Sequence, residues 1–187
     1  METNRWGNSR HGYGIISIFL HWFMALGLIG LYFLGDYMVE LDYYHPWYHD
    51  SLSLHKAIGI LLAVFWLVRI GWTFLQTQPA DLNAEHVWQN RFAHLAHVAL
   101  YSLILLMIIT GYLISTAKGE GISVFGWFEI PALLADNADR GELAGEIHEI
   151  STKLFMLLVI AHAAAALLHH FYYKDKTLLR MLRIQKT

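Results

Sequence analysis

The 187-residue chain contains no cysteine. That absence excludes disulfides, thiolate-held iron–sulfur clusters, cysteine zinc sites and covalent haem attachment through a C-x-x-C-H motif. Charge is scarce as well. Only 15% of residues are Asp, Glu, Lys or Arg, against 56% hydrophobic, and the mean hydropathy is +0.39. This composition departs from that of a soluble domain and points to a membrane protein. The net charge of −2 gives no reason to expect a nucleic-acid partner. Internal repeats, linkers and low-complexity segments are lacking too, so the whole of 1–187 is expected to form a single domain.

The sparse charges leave long gaps. None occurs from His11 to Gly35, from Phe92 to Ala117, or from Leu154 to Tyr173. Each gap reaches the roughly 20 residues that cross a hydrocarbon core. A fourth apolar stretch runs from about Leu54 to Leu75 and contains Arg69. Lipid offers no partner to unpaired backbone, and barrel-type alternation is missing, so all four are expected to be helices. The expected fold is an all-α membrane protein, a bundle of four transmembrane helices at about 14–36, 54–75, 91–115 and 146–173. The first stretch is too long for a cleavable signal and lacks a small-residue cleavage site, so it is expected to stay as a helix.

With the N-terminus inside, the inner segments carry Arg5, Arg10, Arg69, Arg91, Lys174, Lys176, Arg180, Arg183 and Lys186. The outer segments carry only Lys56, Lys118, Arg140 and Lys153. The positive-inside bias therefore favours both termini in the cytoplasm. The first outer loop, Asp36 to Ser53, holds Tyr37, Tyr43, Tyr44, Trp47 and Tyr48, which suit an interfacial aromatic belt. The second contains an apolar run, Ile122 to Leu134, too short to span and broken by Pro131. It reads as an interfacial segment at about 120–135, either a lid or a docking surface. The tail after Lys174 is basic and amphipathic, suited to anionic lipid.

Twelve histidines are many for this length. His11, His45, His49 and His86 fall in expected loops, where a solvated histidine is ordinary. An ionisable side chain at membrane depth is costly and normally faces the bundle interior. His21 and His162 lie at comparable depths near the inner surface; His55 and His148 lie near the outer one. His148 and His162 are 14 residues apart, about four turns and about 21 Å along one helix face. Four imidazoles at two depths suit two haems: His21 with His162 for an inner one, His55 with His148 for an outer one. Bis-imidazole ligation leaves no axial site open, which suits electron transfer.

Other residues admit two readings at this stage. His94 and His97 could compete with His21 for the inner iron or serve as its hydrogen-bonding neighbours. Ala163 to Ala166 beside His162, and Gly59 one turn past His55, make room for a flat macrocycle or for close helix packing. Arg69 either snorkels or pairs with a haem propionate, and Lys56 and Lys153 have the same choice for the outer haem. His169 lies on the face of His162 near the inner surface, with His170 beside it. It either anchors the helix end or donates a hydrogen bond and proton to a quinone headgroup.

Several motifs carry a resemblance. Ile16-Ser-Ile-Phe-Leu-His-Trp22, Leu54-His-Lys-Ala-Ile-Gly59 and Ala93-His-Leu-Ala-His97 are similar to those of the bacterial cytochrome b561 family. So is His162-Ala-Ala-Ala-Ala-Leu-Leu-His-His170, followed by Lys174-Asp-Lys-Thr-Leu-Leu-Arg-Met181. The likeness covers nearly the whole chain. It implies a four-helix cytochrome with two haem b groups in the bacterial inner membrane. It places the cytoplasmic-side haem on His21 and His162 and the periplasmic-side haem on His55 and His148, leaving His94 and His97 as neighbours. It also implies quinone exchange near His169 and Lys174.

The function expected from the resemblance is electron transfer between a periplasmic donor and the quinone pool. Some family members are superoxide:quinone oxidoreductases, and related cytochromes are membrane subunits of periplasmic dehydrogenases or hydrogenases; the alternative for this chain is therefore a membrane subunit whose periplasmic partner docks on Ile122 to Leu134. A histidine-lined metal transporter without haem is the rival from another class.

Overall fold

The computed structural model describes residues 5–82 and 87–182. His86, Arg183 and Lys186 lie outside the described residues. The elements in chain order are α1 (Ile15–Glu40), α2 (Tyr48–Leu75), α3 (Val87–Ser115), β1 (Ile122–Val124), β2 (Phe128–Ile130), α4 (Ala138–Phe171) and α5 (Thr177–Leu182). α1, α2, α3 and α4 are each long and apolar enough to cross a membrane. Few residues in the apolar stretch of each of these helices are buried against protein. The apolar side chains therefore face outward, as they do where lipid rather than a protein core is the solvent.

The helices run further than charge-free gaps alone suggest. α2 begins at Tyr48, so His49 lies in a first turn and not in a loop, with Asp50 suitably placed for the helix dipole. α4 begins at Ala138 and absorbs the acidic stretch up to Glu149 into helix. Asn137 supplies the reason: its Oδ1 accepts the Arg140 N–H at 2.8 Å, an N-cap that starts the helix.

Two compact units divide the chain. The first comprises Met1–Ala25, Phe65–Leu100 and Leu157–Thr187. Its N-terminal segment is pinned by Asn8, whose Oδ1 accepts from Gly14 N (3.0 Å) and Ser17 Oγ (2.7 Å), while Trp72 Nε1 donates to Ser17 Oγ at 2.9 Å. The short α5 is fastened by Trp22 Nε1 donating to Met181 O (2.7 Å) and Arg180 Nη1 donating to Ala80 O (2.7 Å). Among the described residues this unit holds Arg5, Arg10, Arg69, Arg91, Lys174, Lys176 and Arg180, and of the acids only Asp81 and Asp175.

The second unit comprises Leu26–Val64 and Tyr101–Met156. On α4 the buried residues Ala144 and Ser151 stand four before and three after His148, with Phe155 a further turn on. That spacing marks one inward face. On α2, buried Ser51 stands one turn before His55.

The segment at 120–135 is a hairpin, which the sequence reading did not anticipate. Ile122 pairs with Ile130 and Val124 with Phe128 in antiparallel register. Phe125 (φ 53) and Gly126 (φ 73) are both left-handed, the two central residues of a primed turn that Trp127 N closes by donating to Val124 O at 2.9 Å, with Trp127 left as the third loop residue. Alternation buries Ile122 and Val124 on one face of β1. Tyr112 of α3 holds the return strand, its hydroxyl donating to Pro131 O (2.9 Å) and accepting from Leu133 N (2.8 Å). At the tip Trp127 is 75% exposed.

Candidate functional site

The first unit brings together His21 of α1, Arg69 of α2, His97 of α3 and His162 of α4. The ring centres of His21 and His162 are 6.4 Å apart with planes at 57°. His97 stands closer to His162, at 5.3 Å. Arg69 Nη2 donates to His21 Nδ1 at 3.0 Å, since a guanidinium has no acceptor. His21 and His162 are half-buried, whereas His94 and His97 are exposed. Ala163, Ala164 and Ala165 are exposed too, so they do not form a tight helix–helix seam.

In the second unit, His55 of α2 faces His148 of α4 with ring centres again 6.4 Å apart and planes at 72°. Each ring lies against a glycine of another helix. A methyl group at Gly35 of α1 would come within 3.2 Å of His55 Cε1, and one at Gly111 of α3 within 3.4 Å of His148 Cε1. A methyl group at Gly59 or Gly145 would meet nothing within 4 Å, so space is open on α2 and α4 close to the two imidazoles. His55 Nδ1 is buried with no hydrogen-bond partner among the described residues, whereas His148 Nδ1 meets Thr110 Oγ1 at 2.9 Å.

These separations are chemically specific. An imidazole nitrogen binds a transition metal at about 2.0–2.1 Å, and its ring centre lies about 1.1 Å behind it. Two rings clamping one ion from opposite sides therefore stand about 6.3 Å apart, centre to centre. Both the His21–His162 and His55–His148 pairs match this spacing; the His97–His162 pair is too close for it. Among the described residues no group of three or more His, Asp or Glu is arranged to enclose a metal ion by itself. Two-nitrogen sites of this kind fit an iron whose other four ligands come from a porphyrin, and without cysteine the porphyrin is held non-covalently.

At the end of α4, His169 Nδ1 donates to Asp175 Oδ2 at 2.6 Å, and Asp175 Oδ1 accepts from Thr177 N at 2.8 Å. Burial alone would push the Asp175 carboxyl up, but the His169 and Thr177 hydrogen bonds outweigh it and hold the group below its ordinary value. The bend between the helices is made at Lys174, exposed and left-handed at φ 54. A carboxylate-backed imidazole here has the make-up of an acid–base pair. Lys153, by contrast, pairs with Glu149 at 2.6 Å on the exposed surface, four residues away on the same helix.

Sequence reasoning named the histidines but not Thr110, Gly35, Gly111 or Asp175. The first three are neighbours contributed by other helices. Asp175 was visible within Lys174-Asp-Lys, six residues after His169.

A helical membrane protein with imidazoles paired across its helices at iron-clamping distance is the build of a b-type cytochrome. The chain belongs to the prokaryotic cytochrome b561 family, whose sequence profile matches residues 12–183. It is 43% identical over 175 residues to cytochrome b561 homolog 2 of Escherichia coli, covering 94% of this chain and 93% of that protein. It is 30% identical to cytochrome b561 homolog 1 of the same organism (90% and 96% covered). Identity to cytochrome b562 of Cereibacter sphaeroides is also 30%, with 92% and 96% covered. The protein is therefore a multi-pass, four-helix-bundle protein of the bacterial inner membrane that uses b-type haem in electron transfer. The reading as a haem-free metal transporter falls away.

Proposed function

We propose that the chain carries two haem b groups and passes electrons across the inner membrane between a periplasmic donor and the quinone pool. The observation that supports this most strongly is the 6.4 Å ring separation, found once in each compact unit. In this reading His21 and His162 hold one iron, and His55 and His148 hold the other. When bound, each haem supplies a one-electron iron couple. With an imidazole of each pair bound on either side, no position would remain for dioxygen on the metal. Gly35 and Gly111 let two of the rings lie flush against neighbouring helices.

Arg69 neutralises a propionate in this scheme. For His21 to present Nε2 as a ligand, its Nδ1 must carry the proton, and the guanidinium must donate elsewhere. A carboxylate is the acceptor suited to it. His169, braced by Asp175, donates a hydrogen bond and a proton to a quinone oxygen, with Lys174 at the bend contributing positive charge. Both termini lie in the cytoplasm, which puts the basic first unit on the positive side of the topology rule and the quinone site on the inner face.

The donor divides this proposal in two. A small donor such as superoxide needs no further protein. The alternative is a membrane subunit that receives electrons from a separate periplasmic redox protein, and the exposed Phe125 and Trp127 at the hairpin tip favour a docking role of that kind. The test is quinone reduction by the purified chain in nanodiscs, with superoxide as donor. Turnover supports the self-contained oxidoreductase; haem reduction only after a periplasmic protein is added supports the subunit. Haems that neither route reduces would remove the proposal. For the ligands, His21→Ala and His162→Ala should each lose one haem, and retention of two would refute the assignment.

A further inference from the structure

We infer that Thr110 is a positioning residue for His148, holding that ring in the tautomer that leaves Nε2 free to bind metal. This rests on the assignment of His148 as a haem ligand. Thr110 is buried within α3, and its Oγ1 stands 2.8 Å from Leu106 O, 3.3 Å from Met107 O and 2.9 Å from His148 Nδ1. A hydroxyl has one proton, and carbonyl oxygens can only accept. The shortest contact takes that proton to Leu106 O, the ordinary back-bond of a helical threonine. Oγ1 then has only lone pairs to offer His148, so Nδ1 carries the N–H that it accepts. A neutral imidazole has one N–H, so with the proton on Nδ1 the lone pair is on Nε2.

The same helix fixes the ring's position. Gly111, next to Thr110, lies under His148 Cε1 so closely that even a methyl group there would touch it. His55, the opposing ring, rests against Gly35 in the same way but has no counterpart to Thr110: its buried Nδ1 has no hydrogen-bond partner among the described residues. Thr110 therefore orients one side of the pair and leaves the other to the metal. An acceptor behind a ligating imidazole also makes it a stronger donor, which favours the oxidised iron.

The experiment compares Thr110→Val, which keeps the shape and removes the acceptor, with Thr110→Ser, which restores it, in full-length protein in nanodiscs. Haem retention against an apo-myoglobin acceptor and the two midpoint potentials are read for each, beside His148→Ala. Thr110→Val should release one haem about 10–100-fold more readily, the usual scale for losing such a partner. It should also raise one midpoint potential, and Thr110→Ser should restore both readings. Wild-type retention and potentials in Thr110→Val, while His148→Ala loses a haem, overturn the role of Thr110 alone. A defect in Thr110→Val that Thr110→Ser does not repair also overturns it. Two haems retained in His148→Ala overturn the ligand assignment and this inference together.

Discussion

Removing the cation at Arg69 should lower the midpoint potential of the haem proposed for His21 and His162. The guanidinium nitrogen is 3.0 Å from His21 Nδ1. Crossing the imidazole and one metal–nitrogen bond places the charge about 7 Å from a bound iron. At an effective dielectric near 20, a unit charge at that distance interacts by about 2 kcal/mol. For a one-electron couple this corresponds to about 100 mV, or about 50 mV if the guanidinium moves on to a propionate that offsets part of its field. The cation stabilises the added electron, so Arg69→Gln should shift one wave of a spectroelectrochemical titration down by about 50–100 mV. Arg69→Lys should recover most of the shift, and the other wave should stay in place. Two unmoved waves, or an upward shift, would show that Arg69 is not beside a haem.

Three further outcomes follow from contacts at the two sites. Gly35→Leu should eject the haem on His55 and His148, because the first added carbon already meets His55 Cε1 at 3.2 Å; Gly35→Ala should keep most of it, and equal haem content in the two variants would count against the packing argument. His169→Ala should slow quinone reduction at least tenfold while both haems stay, as expected for loss of a positioned proton donor; unchanged turnover would reject the quinone role. Asp175 is held below its ordinary value, so what its carboxylate adds to α5 docking is complete at neutral pH and lost only as pH falls through that depressed value. Amide exchange in α5, corrected for intrinsic rates, should thus hold steady from pH 7 to about pH 5 and rise only below the normal aspartate range near 4; steady loss of protection between pH 7 and 5 would contradict the pairing.

Four membrane helices were legible because desolvating a charge is so costly that gaps between charges mark the spans. The same rule hid the outer ends. Asp139 and Glu142 lie on α4 before the expected start at 146, where charge no longer argues against helix, and the Asn137 cap is the start signal. The hairpin is obscured because hydropathy and Pro131 mark Ile122 to Leu134 only as a short, interrupted apolar run. Its Phe125-Gly126 turn and the buried-exposed-buried order of β1 carry a period of two that hydropathy averages away. Depth along a helix is a one-dimensional property, so the histidine pairs could be proposed from spacing. Thr110 and Gly111 are 38 and 37 positions from His148 and touch it only through the register of α3 against α4, which no single-helix periodicity contains.

The most direct measurement is a pyridine haemochrome assay on the purified full-length chain, with protein quantified by amino-acid analysis. One haem on each imidazole pair, as proposed, predicts two haem b per polypeptide. A ratio of one or below, in protein expressed with ample haem, would contradict them.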